Sequence, residues 1–247
     1  MVHVSTPAGG RREERRQQTT AAIVDAALAQ VEGEGFEALT MQRLAHELGF
    51  AVGALYRYFP SKDALLLAVQ RRVVEQLGDD VTLALSRVDA HARRARLSSS
   101  SSSLLRLLAA VQTYRALPGR RPHHFAMLSR WLGDPRPLVD TAAALPHVPA
   151  LLALLHPVAG LIDDAVDAGA LAPGPSERRL VVLWGALQGV LQLQKLARFG
   201  VAALETDPLV DELTRALCRG WGADPPLVDD VLRRLSRLDL SSNAEHA

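Results

Sequence analysis

The sequence has a single cysteine, Cys218, so it can build neither an intramolecular disulfide nor a cysteine-based zinc cluster, and it suits a reducing compartment. Aromatic residues make up only 4% of the 247 positions while Leu, Ala and Val are abundant, a bias toward helix rather than sheet. Net charge is nearly absent. With 28 Lys and Arg against 27 Asp and Glu, affinity for a polyanion has to come from a local patch, not a global field. No window approaches the roughly 18 uninterrupted apolar residues of a membrane span, and no apolar run follows a basic stretch at the N-terminus as in a signal peptide. A cytoplasmic protein without a membrane partner is expected. Apolar and polar residues nowhere alternate with β-branched enrichment, and no solenoid-length repeat occurs, so the fold class expected is all-α.

Residues 1–10 are small and polar without periodicity, and Arg11, Arg12, Glu13, Glu14, Arg15 and Arg16 continue them as a mixed-charge run. That run suits either an arm that tracks phosphates or a solvated helix start. Val24, Ala27, Leu28 and Val31 then fall at i, i+3, i+4 and i+7, an amphipathic helix stopped by Gly33 and Gly35. Thr40 is an N-cap for a second helix carrying Met41, Leu44, Ala45 and Leu48, with Gly49 at its end. Residues 52–59 form a short third helix closed by Pro60, and Ser61 caps a fourth that runs to about Leu77. A separate helical piece at 81–88 is expected next. The serine run 98–103, which has no apolar face, is expected as a flexible loop. Further helices are expected over 104–117, 125–132, 148–168, 177–199, 208–219 and 227–238.

Two short helices joined by a turn at Gly49 and Phe50 satisfy the pattern of a helix-turn-helix, whose second helix lies in the major groove of DNA. Leu44, Leu48, Phe50, Leu55 and Phe59 can anchor the pair. Ala51, Val52, Gly53, Ala54, Tyr56, Arg57 and Tyr58 are left on or near the exposed face. Small residues there permit close approach of the backbone, and tyrosine hydroxyls or a helix N-terminus can bond phosphate.

In order and spacing, Gly35, Phe36, Leu39, Thr40, the 44–49 stretch, Gly53, Leu55, Tyr56, Tyr58, Phe59 and the run Ser61, Lys62, Asp63, Ala64, Leu65 resemble the TetR/AcrR family of bacterial transcriptional regulators. The resemblance implies a homodimer with a three-helix DNA-binding domain and an all-helical C-terminal domain that binds an inducer and dimerises. It implies that Thr40 bonds a backbone phosphate while capping its helix, that Gln42 and Arg43 reach bases or backbone, and that Tyr56, Tyr58 and Lys62 contact phosphate. Positions 51 and 54 depart from the family's frequent Ser and Thr, because both are Ala here. Readout would then lean on apolar contact of Val52 and the alanines with thymine methyls, and on Gln42 with adenine. The organisation expected is a disordered arm over 1–12, a helix-turn-helix domain over 13–64, a ligand-binding and dimerisation domain over 65–240 and a polar tail over 241–247.

In the second domain, abundant aliphatic residues with Tyr114, Phe125 and Trp131 as the few aromatics predict a mostly aliphatic pocket for a small, largely apolar inducer. Tyr114, Gln112, His123, His124 and Gln188 are the polar groups available to orient it. Trp184, Leu187 and Leu191, beside the small Gly185, Ala186 and Gly189, and Leu213 with Leu217 on the following helix, are expected to meet their copies in a four-helix dimer interface. A competing pattern is Asp163, Asp164 and Asp167, a DDxxD spacing that could hold magnesium diphosphate in an isoprenoid-type enzyme or helical small-molecule binder. It lacks a second metal-binding motif. No histidine pair has HExxH spacing, and no phosphate loop or nucleophile elbow is present. The expected function is a regulator, not an enzyme, with no cofactor and no metal: a repressor that binds a palindromic double-stranded operator and leaves it when the inducer binds.

Overall fold

A computed structural model describes residues 8–133 and 148–240, and every regular element among them is helical. In chain order these are α1 (Ala8–Glu34), α2 (Met41–Glu47), α3 (Val52–Leu55), α4 (Lys62–Ala95), α5 (Ser99–Arg120), α6 (Pro122–Gly133), α7 (Val148–Asp167), α8 (Ser176–Gln192), α9 (Thr206–Gly220) and α10 (Pro225–Leu235). Short 3-10 turns lie at Phe36–Ala38, Leu193–Phe199 and Ala202–Leu204. No described helix is long and apolar enough to cross a membrane.

The chain divides into two compact units: Met1–Val73 with His123–Val148, and Val74–Pro122 with Pro149–Ala247. In the first, Ile23, Ala27, Leu28 and Val31 of α1 are buried, as their spacing requires, against Leu39, Leu44, Ala45 and Leu55. Fully burying each of these leucines is worth about 1.5–3 kcal/mol. Polar links fix the helix pair on its support. Gln30 donates from Nε2 to Glu47 at 2.6 Å, and Arg72 of α4 reaches Asp25 of α1 at 3.1 Å. α6 returns to α1 through His123, whose Nδ1 donates to the Glu32 carbonyl at 2.5 Å, and through the buried His124, whose Nε2 lies 2.8 Å from the Glu32 carboxylate.

In the second unit α5 is the central helix, with Leu104, Leu105, Leu107, Leu108 and Val111 all almost fully buried. α10 packs along it, and α8, α9 and α10 pack in succession. Surface arginines pair across helices, as in Arg106 with Asp89 at 2.7 Å and Arg121 with Asp80 at 3.0 Å.

Three expectations about the elements are corrected. The arm does not extend to residue 12, because helix begins at Ala8 and the Arg, Glu and Gln that follow are good helix formers. The fourth helix does not stop at Leu77. It continues to Ala95 through Gly78, since Val81, Ala84 and Val88 carry the buried stripe onward and one exposed glycine costs only about 1 kcal/mol. The serine run is not a loop: Ser98 is the N-cap of α5, its Oγ accepting from Ser101 N at 3.2 Å, and Ser99–Ser103 form the first turns.

Candidate nucleic-acid interface and ligand cavity

Thr40 has extended backbone, and its Oγ1 accepts from Arg43 N at 3.2 Å, satisfying one of the donors that a helix start leaves without a partner. A hydroxyl that accepts in this way keeps its hydrogen, so the exposed Thr40 O–H can still donate to an anion. Gln42 is exposed. Arg43 is exposed too, but both its terminal nitrogens bond the Glu34 carboxylate, and this contact holds the Glu34 carboxyl below its ordinary range. The pair aims the guanidinium at Glu34, not outward. Exposed as it is, it adds little stability.

Gly49, at φ +67, makes the left-handed turn out of α2 that an L side chain would resist. Ala51 is extended before α3, a single turn whose inner side is fixed by the buried Leu55 and, just beyond, Phe59. The outer side carries Ala51, Val52, Gly53, Tyr56 and Arg57 exposed, with Ala54 and Tyr58 half-buried. Val52 is 38% and Tyr56 45% exposed, one helical turn apart, so an apolar side chain and a phenol stand side by side in water. The third helix is shorter than expected. It ends at Leu55, and residues 56–58 form a turn that Phe59 and Pro60 close. Ser61 caps α4, its Oγ accepting from Ala64 N at 3.0 Å, and half-buried Lys62 is the first residue of that helix.

A cavity of about 80 Å³ lies within the second unit. Leu77, Val81, Leu107, Val111, Leu183 and Leu187 supply much of its wall, and Tyr114 and Trp184 are the lining side chains that carry a polar atom. The Tyr114 hydroxyl donates to Gln188 Oε1, and Gln188 is itself buried. Burial pushes the Tyr114 hydroxyl up to about 12, against a hydrogen bond from Trp184 that works the other way. The phenol is therefore a neutral donor at any ordinary pH.

Tyr114, which lines the cavity, thus meets Gln188 behind it. Phe125 and the histidines 123 and 124 group with the first unit, and the Trp131 side chain lies outside the described residues. Sequence reasoning misses the cavity walls from α4, α7 and much of α8. The signal available is the helical phase of Leu180, Leu183, Trp184 and Leu187. On α8, where a dimer interface is expected, Leu187 and Leu191 are buried inside the unit, whereas Val181, Val182, Gly185 and Gly189 are exposed on the opposite side. Leu213 and Leu217 of α9 are half-buried. Asp163, Asp164 and Asp167 are all exposed on α7, and among the described residues no three or more His, Cys, Asp or Glu side chains gather as a metal site. Cys218 of α9 is 2% exposed, and burial pushes its thiol up to about 12.

An all-helical chain with a capped helix-turn-helix presenting an exposed recognition turn defines a class of DNA-binding domain. Residues 23–69 match the model of the bacterial regulatory proteins of the tetR family. The match covers the helix pair and its flanks. The chain is 46% identical over 55 residues to the transcriptional repressor KstR of Rhodococcus jostii, covering 22% of this chain and 26% of KstR. It is 33% identical over 67 residues to the transcriptional regulator BetI of Brucella anthropi, covering 27% of this chain and 34% of BetI. The chain thus spans about a third or less of the curated relatives it matches. Over nearly its whole length the fold is similar to that of RolR in complex with resorcinol, with a TM-score of 0.60 and 18% identity, covering 90% of this chain and 96% of RolR.

Proposed function

We propose that the protein is a ligand-responsive transcriptional regulator that binds double-stranded DNA as a homodimer, represses from a palindromic operator and is released by a small, largely apolar inducer. The observation that carries the reading is the water-exposed outer side of α3, where Val52 and Tyr56 flank Gly53 and Ala54 with no bulk to hold a groove away. Thr40, Gln42, Arg43, Tyr58 and Lys62 surround that turn in sequence. Val52, Ala51 and Ala54 read thymine methyls, Gln42 reads adenine, and the tyrosines, Thr40 and Lys62 hold phosphates. Trp184, Leu213 and Leu217, with the exposed side of α8, supply the dimer contact.

The cavity supports the inducer. Its wall is almost entirely carbon, and its polar points are the Tyr114 hydroxyl beside Gln188 and the Trp184 indole N–H, so an apolar body with few hydrogen-bonding groups fits it. To release DNA, such a molecule has to bind the DNA-incompetent state more tightly, with a coupling of about 1–3 kcal/mol. A genome-wide footprint with the purified protein, followed by operator titration against a panel of small apolar compounds, tests the reading. The expected result is protection of an inverted repeat and a roughly 5- to 150-fold loss of affinity with at least one compound. Failure to protect any duplex would overturn it.

A further inference from the structure

Within the first unit, the N-terminal part of α1 and the segment after α3 face each other across an open groove. Arg12, Arg15, Arg16 and Thr19 line it from α1, and Arg57 and Tyr58 line it from the other side, with Glu13 as the one carboxylate. Several arginines elsewhere are matched to acids: Arg43 to Glu34, Arg72 to Asp25, Arg106 to Asp89, Arg215 to Asp229 and Arg234 to Asp230. The four guanidinium groups of the groove make no hydrogen bond or ion pair with any described residue.

This arrangement is costly for the isolated chain. Arg12 lies one turn from both Arg15 and Arg16, so the charges repel one another. The repulsion is relieved when an anion fills the groove.

We propose that this groove is a clamp for the sugar-phosphate backbone of duplex DNA flanking the bases that α3 faces. The inference rests on the DNA-binding reading of α3 and adds a second contact region to it. The occupant is a phosphodiester chain because four planar forks line a groove that begins beside the recognition turn, and Tyr58 adds a hydroxyl donor suited to phosphate oxygens. The clamp carries no base information; it fixes the protein's position along the duplex and supplies affinity.

The test uses the full chain, a fluorescein-labelled 30-base-pair duplex of random sequence and titrations over a range of salt. Removing the three α1 charges by R12Q, R15Q and R16Q together is expected to reduce the salt slope by about 0.9 for each phosphate released, a total of two to three. Affinity at 0.1 M salt should fall by about tenfold for each of those phosphates. R57Q should release about one phosphate. E13Q, which removes the opposing carboxylate, should tighten binding two- to threefold, about the size of one added surface charge pair. Circular dichroism checks that helix content is unchanged, and E13Q gives a gain that misfolding could not produce. Wild-type binding with an unchanged slope in the triple variant would overturn the clamp and leave the α3 reading standing. Absence of any duplex binding by the wild type would overturn both. A polyglutamate peptide bound as tightly as the duplex, with the same arginine dependence, would overturn the clamp by assigning the groove to an acidic peptide.

Discussion

In the first unit the side chains with chemical potential, Thr40, Gln42, Val52, Tyr56 and Arg57, stand in water around a turn held from beneath by Leu55 and Phe59. In the second unit the polar pair with chemical potential, Tyr114 and Gln188, is buried beside a carbon-lined cavity. The contrast shows two different ways of holding a binding group in place. An exposed set needs rigidity from below, because nothing outside holds it in the isolated chain. An internal set is held by neighbours on all sides, and its polar groups have to satisfy each other while the cavity is empty.

The comparison breaks most severely at Leu55, fully buried under the recognition turn. Leu55→Ala should cost about 2–5 kcal/mol in urea denaturation and abolish DNA binding, because the cavity it leaves lets α3 shift. An apolar fluorescent probe in the second unit's cavity should still bind. If the probe failed to bind as well, the two sites would not be separately supported.

Tyr114→Phe removes the donor to buried Gln188 and should cost about 1–3 kcal/mol, less than the effect at Leu55. Its pH signature is specific. The fold raises the phenol from its ordinary 10 to about 12, so the proton is held more tightly in the folded state than in the unfolded one. The stability this gives is complete below pH 10 and is lost as the pH rises toward 12. Denaturation midpoints should fall over that window in the wild type, and less in Tyr114→Phe. Equal falls in the two proteins would remove Tyr114 as the source.

The smallest effect is expected at Glu34. Replacing it by Gln frees the Arg43 guanidinium from its two-armed partner, and the salt slope of DNA binding should rise by about one with a gain in affinity of several-fold. An unchanged slope would mean that Arg43 serves only to fix α2 against the end of α1.

The two sites also differ in how legible they are in the sequence. The recognition turn is built from a continuous stretch, so Thr40, Gly49, Leu55 and Ser61 announce caps, turn and anchor in order, and the buried and exposed positions of 44–59 follow. The cavity draws on α4, α5, α7 and α8, separated by up to about a hundred residues, and no local spacing announces such a convergence. Tyr114 and Gln188 stand out only as scarce polar groups among aliphatics. Gly78 reads as a break because a glycine ends many helices, yet the buried stripe on both sides of it outweighs the local preference. Ser98–Ser103 reads as a loop because serine alone has no apolar face. The burial of Leu104 and Leu105 just beyond, with the Ser98 cap, makes the run helical instead. On α8 the leucines do form one face, but amphipathicity alone does not say whether that face turns inward or toward a second copy.

Cys218 gives the molecule a property that none of its binding surfaces provides. Its sulfhydryl is shielded within α9 and protonated at every ordinary pH, so it is inert to thiol-specific labels while that helix stays closed. Being the sole thiol in 247 residues, it makes the rate of label incorporation a clock for transient opening of one known helix. Ligand-induced tightening can thus be timed in the native sequence, without introducing a reporter.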